Sequence, residues 1–264
     1  MFLRPTLRRL AGWACVCWSL YLPVWAQAPA ASPPPLKILT AGAFKQVVVA
    51  LLPLLQAQTG VPITVDNDTA GGLAKRVRGG EAFDVLVLPP GSLAPLGQEG
   101  WVDAASTRNI ARVGIGVAVR SGAAHPEMAT VDQFKAAVLR AHKVAYIDPA
   151  AGGSSGIYLH GLFERLGVAA EVQAKAVLVP GGLVAERLVT GEADLAIHQV
   201  SEILPVPGVD LVGTLPPEIQ NTTTYAAAVS VKSSQAAAAR QVLQALAAPE
   251  AAAIIRAKGM NPVP

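Results

Sequence analysis

The stretch from Lys143 to Gly167, KVAYIDPAAGGSSGIYLHGLFERLG, most constrains what this chain can fold into. Val144, Ala145, Tyr146 and Ile147 form a short apolar run that reads as a buried strand. The run breaks at Asp148-Pro149 into a turn rich in glycine and serine. Ile157, Leu159, Leu162, Phe163 and Leu166 then recur at helical spacing. A helix beginning there leaves backbone N–H groups without partners and puts the positive end of its dipole on the turn. Gly152, Gly153 and Gly156 let a ligand approach that backbone, and Ser154 and Ser155 add hydroxyl donors. Such a junction favours a bound anion, although an ordinary βα loop with a serine cap has the same composition.

Three further junctions share this build. Leu36 to Leu39 runs through Thr40-Ala41-Gly42-Ala43 into a helix from Phe44 to about Gln58. Pro62 to Val65 runs through Asp66 to Gly72 into Leu73-Ala74-Lys75-Arg76-Val77. Ala176 to Val179 runs through Pro180-Gly181-Gly182 into Leu183 to Thr190. In open α/β sheets, ligands sit beyond the carboxyl ends of the strands, where such turns gather. The repetition points to a cleft for an anion or a small polar molecule.

The first residues read as a targeting signal. Arg4, Arg8 and Arg9 form a basic n-region, Leu10 to Trp25 is apolar, and Ala26-Gln27-Ala28 offers a small-residue cleavage site. A spanning helix needs roughly 20 apolar residues, and Pro23 interrupts this shorter run. A Pro-rich tether follows. Removing the leader leaves 18 basic against 18 acidic residues, so the charge balance gives no case for nucleic acid. Both cysteines, Cys15 and Cys17, lie in the leader, which leaves no disulfide or thiol chemistry behind it. The core must hold the rest together, and about 235 residues can supply one.

Strand-like and helical segments alternate, which predicts an α/β chain with largely parallel sheets. Strands are expected at Val85 to Leu88, Leu195 to His198 and Leu211 to Val212. Helices are expected at about Val131 to Ala141, Gln235 to Leu246 and Glu250 to Ala257. The extended stretches Arg112 to Val119 and Asn221 to Val231 lack helical periodicity and suit crossings between two lobes, a construction that places a ligand cleft at their interface. The four histidines show no paired metal-ligand spacing, and there is no nucleophile elbow, Walker loop or dinucleotide fingerprint. Neither a metal nor a cofactor is expected. Three of the four tryptophans lie in the leader, which leaves Trp101 and no sugar-stacking platform.

LKILTAGAFKQVVVALLPLLQAQTGVPI, GGLAKRVRGGEAFDVLVLPP, the Lys143–Gly167 motif and VAERLVTGEADLAIHQVSEI together resemble the periplasmic solute-binding proteins of type II fold, and within them the molybdate-binding family. The resemblance spans about residues 36 to 262. It implies two lobes, each a mainly parallel sheet flanked by helices, with a cleft between them. The implied division is a signal peptide at 1–28, a tether at 29–35, lobe 1 at 36–115, lobe 2 at 116–221 and a return to lobe 1 at 222–264. It further implies a monomeric periplasmic receptor that holds a small anion, a molybdate-like oxyanion or an organic polycarboxylate, for an ABC importer permease.

The ligand positions carried over are Ala43 on the first junction, Gly71 and Gly72 on the second, Ser154, Ser155, Gly156 and Tyr158 on the third, Gly181 and Gly182 on the fourth, and His198 and Gln199 after the late strand. The family places Ser where this chain has Ala43, and Ser where it has Gly71 and Gly72. Its Tyr position falls at His198 or Gln199. The segment His198 to Gly213 is similar to a sub-branch that includes bacterial aconitate isomerase, which makes periplasmic isomerisation of a tricarboxylate the alternative. His198 is then the catalytic candidate, as an imidazole that shuttles a proton; otherwise it is a structural residue at a strand end. Lys75 and Arg76 suit either an anion contact or a solvated helix face. Glu202 with Ser201 suits either the orientation of a ligand or of His198, or a capping pair. Asp148 reads as a turn former, Tyr158 as a packing or a ligand residue, and Tyr225 as hinge packing.

Overall fold

The computed structural model describes residues 1–2 and 34–263. The expected signal peptide therefore lies almost entirely outside the described residues, as does the tether up to residue 33. From residue 34 the chain forms one compact unit.

The first body opens with β1 (Leu36–Ala41), α1 (Gly42–Thr59), β2 (Ile63–Asp68), α2 (Ala70–Arg78), β3 (Val85–Leu88) and α3 (Pro90–Gln98). The long strand β4 (Arg108–Arg120) leads to α4 (Val131–Arg140), β5 (Val144–Ile147), α5 (Ser154–Arg165), α6 (Ala169–Gln173) and β6 (Ala176–Val179). Then come α7 (Glu186–Val189), β7 (Leu195–Gln199), α8 (Val200–Ile203), β8 (Val209–Thr214), β9 (Thr222–Val229), α9 (Ala236–Leu246), α10 (Pro249–Ala257) and β10 (Asn261–Pro262).

Strand order is β2-β1-β3-β9-β4-β7-β5-β6, with β8 and β10 also pairing to β4. β2, β1 and β3 run parallel, as do β6, β5 and β7. β3 and β5 are buried throughout, because helices cover both faces of such strands. Between the two parallel groups, β4 and β9 pair antiparallel from Arg108↔Ala227 to Gly114↔Thr222. Beyond that point β4 leaves β9 and pairs with β7 and β8 instead. The core divides at the same place: Ile110, Ala111 and Val113 pack with the first body, while Ile115, Val117 and Val119 pack with the second. Gln220 clamps the transition, accepting from Ile115 N at 2.8 Å and donating to Ile115 O at 2.9 Å.

Local chemistry explains most element ends. α1 stops at Gly60, whose φ of 69° suits only a residue without a side chain. α4 starts with a capping box between Thr130 and Gln133. The helix expected over Leu183 to Thr190 shortens to the single turn α7, because Gly182 at φ 84° and buried Val184 belong to the preceding loop. α3, α6, α8 and β10 have no counterpart in the sequence reading; each is short or rich in Gly and Pro, so its periodicity is weak. α8 joins the bodies, with Val200 packed in the first core and Ile203 in a cluster of the second.

Candidate functional site

Two helices begin on one cavity from opposite lobes. Ala41, Gly42 and Ala43 line it at the start of α1, and Gly153, Ser154 and Ser155 line it at the start of α5. Neither helix has a side chain capping its first turn. The first-turn N–H groups of an 18-residue and a 12-residue helix are thus left for whatever occupies the space, with both dipoles adding positive potential. Asn67, Asp68, Thr69 and Ala70 close a third side between β2 and α2, and Ile147 and Gly182 a fourth. The water-accessible volume is about 30 Å³. A water needs about 10–15 Å³ on that measure, so the closed cavity takes only a compact occupant.

The floor comes from the end of β7 and from β9. His198, Gln199, Glu202 and Tyr225 line the cavity and are all buried. The Tyr225 hydroxyl donates to Gln199 Oε1 at 2.8 Å. Gln199 Nε2 and His198 Nδ1 are buried without a hydrogen-bond partner. Buried polar groups are rarely left so, and a site that awaits a ligand is one reason for it. Glu202 occupies the room that Gly42 leaves: a Cβ on Gly42 would sit 2.5 Å from Glu202 Oε1.

Glu202 Oε2 lies 3.2 Å from His198 Nε2, a geometry that an ion pair would also show. Burial opposes both charged forms, pushing the Glu202 carboxyl up to about 8 and the His198 imidazole down to about 3. The contact therefore brings a neutral acid against a neutral imidazole. The same burial raises the Tyr225 phenol, with Glu202 contributing.

Among the described residues that line the cavity there is no Lys or Arg. Arg76 is engaged by Glu81 and Asp66 and lies 3.7 Å from Asp68. Glu81 and Asp66 hold the guanidinium well above its ordinary range, and Arg76 together with Lys37 brings Glu81 down to about 2. Arg78 pairs with Glu99 and Arg187 with Glu192. Among the described residues, no group of three His, Cys, Asp or Glu comes together to hold a metal.

Of the positions singled out in the sequence, Ala43, Ser154, Ser155, Gly182, His198 and Gln199 meet at this cavity. Gly71, Gly72, Gly156, Gly181 and Tyr158 lie outside its lining. Gly72 N is spent on Thr69 Oγ1. Gly156 packs against the carbonyl of Ile147, so its missing side chain serves helix–strand contact. The Tyr158 hydroxyl donates to Ile219 O at 2.7 Å, well away from the ligand space. Asn67 and Asp68 were not among the ligand positions; Glu202, read as orienting a ligand or His198 or as a capping residue, and Tyr225, read as hinge packing, both line the site. The signal of Asn67 and Asp68 was faint, since both look like turn formers.

Comparison with known proteins agrees with this architecture. A family model described as bacterial extracellular solute-binding protein matches residues 36–261. A curated aconitate isomerase from Pseudomonas sp is 34% identical over 235 residues, covering 87% of this chain and 88% of that protein. The Azotobacter vinelandii periplasmic molybdate-binding protein superposes with a TM-score of 0.73 at 20% identity, over 87% of this chain and 99% of that one. The sulfate-binding protein SubI from Mycobacterium tuberculosis H37Rv gives 0.70 at 17% identity, over 87% of each chain. At these identities the structural likenesses establish the fold, the two-lobed type II binding-protein architecture.

Proposed function

The chain belongs to the bacterial extracellular solute-binding protein family, and on that premise we propose that it captures a small anion between its lobes in the periplasm and presents it to the permease of an ABC importer. The observation that carries this reading is the pair of uncapped helix N-termini, α1 and α5, opening from opposite lobes onto one cavity without Lys or Arg. Neutral N–H and O–H donors around a buried space stabilise an anion through many short dipoles. The Gln199 amide nitrogen and the Ser154 and Ser155 hydroxyls add donors to that set. A tricarboxylate at neutral pH carries three charges and calls for guanidinium or ammonium partners, and Arg76, Arg78 and Arg187 are each paired with carboxylates of the chain.

A thermal-shift screen with molybdate, tungstate, sulfate, citrate, cis-aconitate and trans-aconitate tests the reading, because a ligand that binds only the folded state raises its melting temperature. A rise of several degrees with at least one compact oxyanion is expected. No shift with any of the anions would remove it.

A second reading, a periplasmic isomerase of an unsaturated tricarboxylate, is favoured by the His198–Glu202 pair and by the likeness to an aconitate isomerase. Such an isomerisation takes a proton from one carbon and returns one to another, so it needs a buried acid–base group that both accepts and gives. Glu202, with its carboxyl near 8, and His198 are the groups in position. Incubation with cis- or trans-aconitate in heavy water, followed by proton NMR, decides between the readings. Conversion lost in both His198→Gln and Glu202→Gln would establish the isomerase. No conversion, together with a thermal shift, would leave the receptor.

A further inference from the structure

Two hydrogen bonds tie the lobes together beside the cavity. Thr69 Oγ1 donates to Ala151 O at 2.5 Å, and Gly71 N donates to Gly152 O at 3.1 Å. Thr69 lines the cavity, and Gly71 and Gly152 stand farther out, partly exposed, on its rim. The Thr69 hydroxyl also accepts from Gly72 N at 3.0 Å, so the residue that crosses the cleft is held rigidly by its own helix. Gly71 is the second residue of α2, where an N–H has no partner within the helix. The carbonyl that satisfies it belongs to the opposite lobe.

The two glycines make this contact possible. A Cβ on Gly71 would lie 2.9 Å from Gly152 Cα, and one on Gly152 would lie 2.8 Å from Gly71 Cα. The three atoms nearest to a Cβ at position 71 all belong to Ala151 and Gly152. Gly71 has an ordinary helical backbone, and alanine is the better helix former there. Its lack of a side chain therefore serves the approach of the other lobe and not its own helix.

We infer that the seam of Thr69 and Gly71 against Ala151 and Gly152 is a backbone latch that seals the cleft and confines the site to compact anions that the closed lobes enclose completely. The size limit, unlike the latch itself, rests on the anion-capture reading. An ion with its oxygens gathered on one centre leaves the two glycines in contact. A six-carbon polycarboxylate has arms that the small closed space does not take, and it would hold the glycines apart.

Gly71→Ala isolates the latch, because it adds one methyl group where only the opposite lobe is in the way. Gly91→Ala is the control, since nothing lies within 4 Å of a Cβ there. Without any ligand, Gly71→Ala is expected to keep the circular dichroism of the parent, to increase the radius of gyration in small-angle scattering, and to speed amide exchange at residue 71 by about tenfold or more. Molybdate is the compact probe and citrate the extended one. Molybdate should leave Gly71→Ala about tenfold faster than it leaves the parent or Gly91→Ala, and the preference for molybdate over citrate should narrow. Exchange, scattering and dissociation all matching the parent would overturn the latch while leaving anion capture intact. A parent that binds none of the anions, beside a Gly71→Ala variant that still opens, would overturn anion capture and leave the latch. A parent that binds citrate more tightly than molybdate would overturn the size limit.

Discussion

The Tyr225 hydroxyl, from β9, donates to Gln199 Oε1 at the end of β7, and this one bond decides which way the Gln199 amide faces. With its oxygen held, the amide nitrogen is buried without a partner beside the cavity. Tyr225→Phe leaves a buried acceptor unsatisfied and frees the amide to turn over. A loss of about 1–3 kcal/mol in urea unfolding is expected. Affinity for any anion that shifts the parent's melting temperature should also fall, which titration calorimetry would measure.

The buried acid and imidazole set a pH profile for stability. Glu202 titrates near 8 in the folded chain and in the ordinary carboxylate range when unfolded, so the folded state holds the extra proton between those values. Its contribution is fully present below about pH 4.5 and is lost as pH rises through 8. His198 is depressed to about 3, so below its ordinary value of 6.5 the unfolded chain holds the extra proton, and stability falls as pH drops from 6.5 towards 3. The two slopes oppose each other between pH 4.5 and 6.5 and leave a fall from 6.5 to 8, at most about 2 kcal/mol. Urea unfolding across that range should show the fall in the parent and its absence in Glu202→Gln. A fall of equal size in the variant would mean that another group is responsible.

On the third junction, Ser155 and Gly156 should behave differently although they are adjacent. Ser155→Ala removes one hydroxyl beside the cavity and is expected to weaken anion binding by roughly 1 kcal/mol with little change in stability. Gly156→Ala would drive a Cβ into the Ile147 carbonyl and should lower stability by about 1–3 kcal/mol. Gly153→Val belongs with the second kind, because a Cβ there lies 2.6 Å from the Ile147 side chain. Paired calorimetry and urea titrations would separate binding from folding in all three.

Gln220 holds β4 at the point where it passes from one core to the other. Gln220→Ala removes both bonds to Ile115 and should lower stability by about 1–3 kcal/mol. Scattering with and without a bound anion should also show a changed amplitude of closure, since the clamp sits where the lobes would turn. An unchanged amplitude would place the hinge elsewhere along β4 and β9.

Periodicity and the placement of Gly and Pro act over a few residues at a time, so the longer strands and helices are legible in the chain, whereas α3, α6, α8 and β10 are not. β3, β5 and the start of α5 could be read in this way, and so could Ser154 and Ser155 as residues of a junction, while His198 and Gln199 came from the family resemblance. Which of them share a cavity depends on how distant parts of the chain pack. Tyr225 reaches Gln199 across 26 residues, and Thr69 reaches Ala151 across 82. Neither contact leaves a local trace, since each depends on how two lobes meet. The neutrality of Glu202 has the same origin. Its spacing from His198 is written in the chain, but the burial that keeps both uncharged comes from the packing of α8 against α1, β4, β7 and β8, with Gly42 leaving the space.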